Sequence, residues 1–439
     1  MNDFFFARSL MAMSLAFHIV FAALGIGMPL LMILAEGTYL RTRQAVYLEL
    51  SKRWAKGTAI LFAVGAVSGT VLSFELGLLW PGFMAQAGAI IGMPFSLEGF
   101  AFFTEAIFIG IYLYGRDRLS PLLHWLAGVL VAVSGVLSGI FVVTANAWMN
   151  APAGFTFRNG KFFEIDPIAA MLNPASFHEG LHMTLAAFVA TGFAVAAVHA
   201  FFLRRNPRSE FHRRALGLAL LVAGVSIPLQ IVSGDLSARA VGRLQAAKLA
   251  AMEAHYQTTA GAPLLLGGFP DDATRTTHYA LTVPHGLSVL LDNRLDSTVT
   301  GLDAFPRADW PDVRIVHAAF DLMVFAGFAL LAVAAWAGWN RLRQRPLANS
   351  PGLLRALVLA GPLGFVAIEA GWVVTEVGRQ PWIIYHVMRT RDAVTTLPGI
   401  AVPFVAFAVL YAILALVVFA LLRRQFLETA AEVVAPTAG

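Results

Sequence analysis

The chain has 439 residues, of which 58% are hydrophobic and 13% charged; soluble domains carry about 25% charged residues, so a surface built to face water is excluded. Cysteine is absent, which excludes disulfides, thiolate ligands and Cys-bound clusters and leaves His, Met, Asp and Glu to hold any metal. The formal net charge of +5 is small, so the placement of the basic residues carries more information than their excess.

Apolar runs long enough to cross about 30 Å of hydrocarbon recur along the chain. They predict nine spans, at 12–35, 57–80, 95–115, 122–147, 180–203, 215–234, 313–337, 354–375 and 400–423. The fold class is therefore all-α, a polytopic membrane helix bundle; a β-barrel would show alternating segments of about ten residues instead. The first run carries His18 and lacks a small-residue cleavage site, so it reads as the first spanning helix and not as a signal peptide.

Basic residues follow every odd-numbered span. Arg41, Arg43, Lys52, Arg53 and Lys56 follow the first, and Arg116 and Arg118 the third. Arg204, Arg205, Arg208, Arg213 and Arg214 follow the fifth, Arg341, Arg343 and Arg345 the seventh, Arg423 and Arg424 the ninth. Nine alternating helices put all these loops on one side, which the positive-inside rule makes cytoplasmic. The N-terminus is then outside and the C-terminus inside, and the arginines mark orientation, with no nucleic-acid partner. The chain divides into 1–234 (six spans), a long external loop at 235–312, 313–427 (three spans) and a tail at 428–439. The loop opens on a helical stretch, SARAVGRLQAAKLAAMEAHYQ, and long external loops in compact bundles are usually functional or disordered.

Ionised side chains inside a bilayer cost at least about 2.5 kcal/mol each and by default mark function. His18 lies within LAFHIVFAALGIG of span 1, either packing on a backbone carbonyl or serving as an axial ligand. Glu98 and Glu105, in LEGFAFFTEAIF, are nearly two turns apart and share one face of span 3; they suit a proton path or metal ligation. HEGLHMTLAAFVATG opens span 5 with His178 and His182 at i, i+4, and Pro174 leaves His182 as the better intramembrane ligand. A methionine on another helix, such as Met323 in FDLMVFAGF, could pair with it, although a lone Met is far more often core or lipid-facing. Glu369, Trp372 and Glu376 share a face of span 8, and Gly378 and Pro381 end that helix. Arg379 and Trp382 then fall at the outer interface, where an arginine either anchors an anion or snorkels to headgroups.

These groups together resemble subunit I of the cytochrome bd-type quinol oxidases over nearly the whole chain. The resemblance rests on ARSLMAMSLAFHIVF, LEGFAFFTEAIFIG, TANAWMNAP, HEGLHMTLAAF, KLAAMEAHY, FDLMVFAGF and EAGWVVTEVGRQPW. It implies an enzyme of the inner bacterial membrane that oxidises quinol and reduces dioxygen to water, taking protons from the cytoplasm and releasing them outside. It implies that His182 and Met323 ligate the low-spin haem b558, and that His18 and Glu376 ligate the two high-spin haems. His18 is assigned to haem d and Glu376 to haem b595, with the reverse left open, and a third haem b could replace haem d, as in cyanide-insensitive relatives. Glu98 and Glu105 match the acids that carry protons to the oxygen site. Arg8, Trp372 and Arg379 match residues around the haems, the arginines near propionates. Lys248 and Glu253 match the quinol-site pair, with Asp235 nearby, in a loop of the shorter form. A second membrane subunit and a small single-helix subunit are the implied partners.

Two departures from the family pattern stand out: Asp321 replaces an Arg found in some members, and Glu98 and Glu105 are seven apart where some have eight. An ion-coupled transporter would show an inverted repeat and broken helices, and the sequence shows neither. A haem-copper oxidase would need more histidines than His18, His182 and His317, the ones read as lying within spans. A haem-binding assembly subunit without turnover would have no use for the acids of span 3.

Overall fold

The computed structural model describes the backbone of residues 3–434 and side chains as far as residue 426; the end of the expected tail, 435–439, lies outside the described residues. Among the described residues, nine helices are long and apolar enough to cross a membrane. In chain order the helices are α1 (Asp3–Thr42), α2 (Ala45–Leu79), α3 (Pro81–Tyr114), α4 (Pro121–Asn150), the short α5 (Pro167–Met171), α6 (Ser176–Arg205) and α7 (Glu210–Leu244). The short α8 (Ala246–Met252) and α9 (Gly286–Asp292) lie in the long loop, followed by α10 (Val313–Leu342), α11 (Pro351–Ala360), α12 (Leu363–Val377), α13 (Thr390–Ala393) and α14 (Ala401–Val434).

Two differences from the sequence expectation have local causes. The eighth span is two helices, α11 and α12, because Pro362 lacks the amide that a continuous helix needs. The sixth span runs on as α7 to Leu244, past residue 234, so the helical start of the loop is largely the same helix. Only α8 is separate from it, beyond a break at Gln245.

The spanning helices form two four-helix rings. In the first, α1 packs on α2 and α4, and α3 on α2 and α4. In the second, α7 packs on α6 and α10, and α12 on α10 and α6. α6 joins the rings by packing on α1 and α4, and α14 lies against α1 and α2. Small residues bring the backbones close, as membrane bundles require where apolar burial gives no drive between helices. Thr191 Oγ1 donates to Ala23 O across the α1–α6 joint at 3.1 Å. A Cβ built on Gly364 would lie 2.5 Å from Ala190 Cα.

The two ends of the bundle differ. At one, Gln425 Nε2 donates to Arg53 O, Arg116 pairs with Glu36 and Arg214 lies over Tyr47, so the arginine-rich connections share an end. At the other, a hairpin (Thr156–Arg158 with Lys161–Phe163) and α5 fill the first external loop. The second carries three nested antiparallel pairs: Thr259–Ala260 with Thr298–Val299, Leu264–Leu266 with Leu281–Val283, and Phe269–Asp271 with Thr276–His278. Leu79 O accepts from Thr395 N, and Met149 O from Tyr385 N, so the α13 segment is tied to the same end.

The packing makes a direct test. Gly364→Val should force α12 off α6 and cost about 1–3 kcal/mol, lowering the melting temperature in detergent. Gly77→Ala, whose new Cβ would meet nothing within 4 Å, should not lower it, since alanine favours the helix; an equal loss in the two would refute the close α6–α12 approach.

Candidate functional site

In the second ring, His182 stands on α6 and Met323 on α10, diagonally opposed helices. The other diagonal supplies glycine beside each of them. A Cβ on Gly234 of α7 would lie 3.4 Å from His182 Cε1, and one on Gly371 of α12 would lie 3.1 Å from Met323 Sδ. The His182 ring meets only the amide of Gln230, at 3.1 and 3.3 Å, and the Gln230 carbonyl oxygen is buried without a partner. An imidazole and a thioether on diagonally opposed helices, each beside a glycine of an intervening helix, suit the two axial positions of a flat tetrapyrrole.

In the first ring, His18 of α1 hydrogen-bonds Ser68 Oγ of α2 at 2.9 Å, and here too a glycine, Gly69, lies against the ring. One turn towards the loop end, Ser14 Oγ donates to Glu75 Oε1 at 2.8 Å, while Glu75 Oε2 is buried with no partner. Across the ring, Glu98 accepts from Ser138 of α4 at 3.3 Å. Glu105 is buried, and a Cβ on Gly135 of α4 would lie 3.4 Å from its carboxylate. Both acids of α3 therefore address α4, as their spacing implies, and Glu105 Oε1 has no hydrogen-bond partner.

Between the rings, at the loop end, Glu376 ends α12. Its Oε1 accepts from Asn146 Nδ2 and its Oε2 from Arg379, both at 2.5 Å. Arg379 is among the most buried large side chains of the chain. It does not snorkel to headgroups: one nitrogen donates to Glu376, another to Asn150 Oδ1 at 3.1 Å, and Nε is left over. Each carboxylate oxygen of Glu376 keeps a second lone pair, so the residue can still take up a metal, and the spare Arg379 N–H can still take up an anion. Trp372 is half-buried one turn back on α12. Arg8 lies apart, exposed on α1 with its guanidinium 5.5 Å from the Phe4 ring.

Asn150, the last residue of α4, is the hub of this cluster. Its oxygen accepts from Lys248 Nζ at 2.9 Å as well as from Arg379. Its amide nitrogen lies 2.8 Å from Glu179 Oε1, 3.1 Å from Asn146 Oδ1 and 3.2 Å from Thr375 Oγ1. Gln245 donates to Asn150 O at 2.8 Å, which pins the start of α8 to the end of α4.

Lys248 and Glu253, the two residues expected at a quinol site, have different neighbours. Lys248 lies on α8 and Glu253 is the residue after its end; five residues at about 100° each turn the two side chains to different faces. Lys248 joins the Asn150 cluster, where burial and the neighbouring Arg379 push its ammonium down to about 7 against the pull of Glu179 and Glu376. Glu253 is buried, and desolvation with the nearby Asp321 raises its carboxyl to about 8. Asp321 itself faces His317 at 3.4 Å. The His317 ring contacts Met252 O at 2.7 Å and Gly267 O at 3.1 Å, stapling the loop to α10. Asp235 pairs with Arg239 one turn along α7, not with either residue of the expected pair.

The histidine reading needs correction. His124 and His199 also lie in spanning helices, inside the predicted spans 122–147 and 180–203, and His212 joins them because α7 begins before its apolar window. Each has another partner: His124 bridges Glu36 (2.7 Å) and Tyr112 O (2.8 Å), and His199 contacts His212 (2.9 Å). Asn150, Glu179 and Glu75 are the site residues that sequence reasoning missed. Asn150 and Glu179 lie inside motifs quoted above, TANAWMNAP and HEGLHM, and Glu75 is an acid within a predicted span.

Comparisons with known proteins bear on the family and the fold. The family described as cytochrome bd terminal oxidase subunit I matches residues 6–430. A putative cytochrome bd menaquinol oxidase subunit I of Bacillus subtilis (strain 168) is 40% identical over 428 residues, 96% of each chain. A cytochrome bd ubiquinol oxidase subunit 1 of the same organism is 32% identical over 443 residues, 97% of this chain and 94% of that one. The solved structure of the bd oxidase from Geobacillus thermodenitrificans has a TM-score of 0.92 at 38% identity, covering 97% of this chain and 99% of that one. The chain belongs to the cytochrome bd terminal oxidase subunit I family.

Proposed function

We propose that this multi-pass bacterial membrane protein oxidises quinol at its loop end and serves dioxygen reduction between its helix rings. Haem is the family's cofactor; when bound it supplies one-electron transfer and dioxygen reduction, and the residues of this chain do the rest. On this reading His182 and Met323 hold the low-spin b558. His18 and Glu376 hold the high-spin pair, with haem d, or a third haem b, at His18 and b595 at Glu376. The observation that carries the reading is the placement of His182 and Met323 on diagonally opposed helices of the second ring, each with a glycine of an intervening helix beside it.

Glu253 accepts a hydroxyl proton from quinol, and Lys248, held by Asn150, donates to a quinone oxygen. Glu98 and Glu105 hold protons on the α3–α4 face for the oxygen site. The arginine-rich end is cytoplasmic, so protons drawn from that side and released at the loop end separate charge without a pump. Members of the family work with a second subunit, and we place one here as a heterodimer partner, with a small single-helix subunit beside it. A transporter reading has no support in the comparisons.

A reduced-minus-oxidised visible spectrum tests the reading: b-type bands are expected, with a red band where haem d is present, and a colourless protein would overturn it. His182→Ala or Met323→Leu should abolish the low-spin signal and spare the high-spin ones; survival of the low-spin signal in both would reject that ligand pair. Glu253 must lose its proton to act as a base, so quinol turnover should rise with pH until about 8 and then level. Glu253→Gln should lower turnover about 100-fold and remove that pH dependence with all haem bands intact; an unchanged pH profile would remove Glu253 from the site. Asn150→Leu should orphan the Lys248 and Arg379 donors, at about 1–3 kcal/mol each. It should perturb the spectrum assigned to Glu376 and leave that of His182 and Met323, whereas an unperturbed spectrum and melting temperature would contradict the hub role.

A further inference from the structure

A cavity of about 560 Å³ opens between α7 and α10 at the arginine-rich end, far from the residues assigned above. Its size is that of a small-molecule site. The two helices approach where Gly327 meets Ile231, and a trough lies beyond that point. Three glycines line it, Gly217, Gly224 and Gly338, and a Cβ on any of them would meet nothing within 4 Å. Each glycine weakens its helix by about 1 kcal/mol relative to alanine, and no neighbouring helix inside this chain uses the space. The floor is otherwise apolar, and Leu221 and Val225 on its lip are more than half exposed.

The mouth is cationic. Arg213, Arg214 and Arg341 all line it, with Tyr47 beside them. Arg213 and Arg214 belong to the first turn of α7, where the helix dipole adds positive potential. Arg214 is held by an exposed Glu210 at 3.1 Å. Arg213 donates only to the carbonyl of Arg208, and Arg341 has no carboxylate within salt-bridge distance among the described residues. Two guanidinium groups without carboxylates thus stand at the rim of an apolar trough that opens sideways along spanning helices.

We propose that this trough binds an anionic phospholipid, its phosphate on Arg213 and Arg341 and its acyl chains along Gly217, Gly224 and Gly338. A basic rim over an apolar floor complements that molecule at both ends. A helix of another subunit would use the glycines and leave the guanidinium groups unanswered.

The test is native mass spectrometry of the detergent-purified, delipidated oxidase complex titrated with phosphatidylglycerol or phosphatidylcholine. Phosphatidylglycerol should bind at least about tenfold more tightly, and the double variant R213Q/R341Q should weaken it about 25-fold, at about fivefold per arginine. Gly224→Leu with Gly338→Leu should fill the trough and abolish retention of either lipid, while the visible spectrum stays unchanged and the melting temperature does not fall. Equal affinity for the two lipids, or wild-type affinity in R213Q/R341Q, would overturn the proposal. So would displacement of the lipid by millimolar inorganic phosphate, which would mark a free-anion site. Loss of a helical subunit in the leucine variants would assign the trough to a protein instead.

Discussion

A charge in hydrocarbon has no water to turn to, and that constraint places the ionisable side chains of the spanning helices in this protein. At a cost of at least about 2.5 kcal/mol per unpaired charge at the helix centre, acids and bases cannot face lipid. They are found in the seams: Glu105 between α3 and α4, Glu75 between α2 and α1, Glu36 with His124 and Arg116, and Glu376 with Arg379 at the joint of the two rings. The outward faces carry the residues that lipid accepts, such as Phe74, Phe100 and Phe103.

The same constraint explains the glycines. Helices in a bilayer gain little from burying apolar area against one another and gain much from close contact. Where glycine meets an alanine, as Gly364 meets Ala190 or Gly192 meets Ala223, backbones touch and the joint is rigid. Beside His18, His182 and Met323 the glycine faces a side chain proposed as a ligand instead, and what it provides is room. One residue type thus does opposite jobs, closing the joints between helices and opening the slots within the rings.

The architecture was legible because span length and periodicity are set by the bilayer and the α-helix, which act on each residue locally. Nine spans, the common face of Glu98 and Glu105 and the end of α12 near Gly378 all followed from spacing. What escaped depends on chain segments meeting in space. Asn150 is a neutral amide at a helix end, and nothing in TANAWMNAP marks it as the meeting point of four elements. That Lys248 meets the Asn150 cluster while Glu253 lies near Asp321 also depends on the fold, and the Ala-rich sequence around them does not announce it. His212 was overlooked because its apolar window falls short of the helix start, whereas His124 and His199 lay inside predicted spans and went uncounted.

The Asn150 cluster gives the proposed mechanism its economy. Lys248 and Arg379, itself bonded to Glu376, share one acceptor oxygen. On the proposed reading a haem held by Glu376 would supply one-electron transfer there, and added negative charge nearby would favour the charged form of the buried Lys248 ammonium. Lys248 would then hold a proton more tightly for as long as that charge is present. Coupling of this kind needs no moving part, only a buried amide that keeps two cations within reach of one carboxylate. It also accounts for the depth of Arg379: an arginine at the headgroups would be screened by water and salt, and would feel neither the electron nor the lysine.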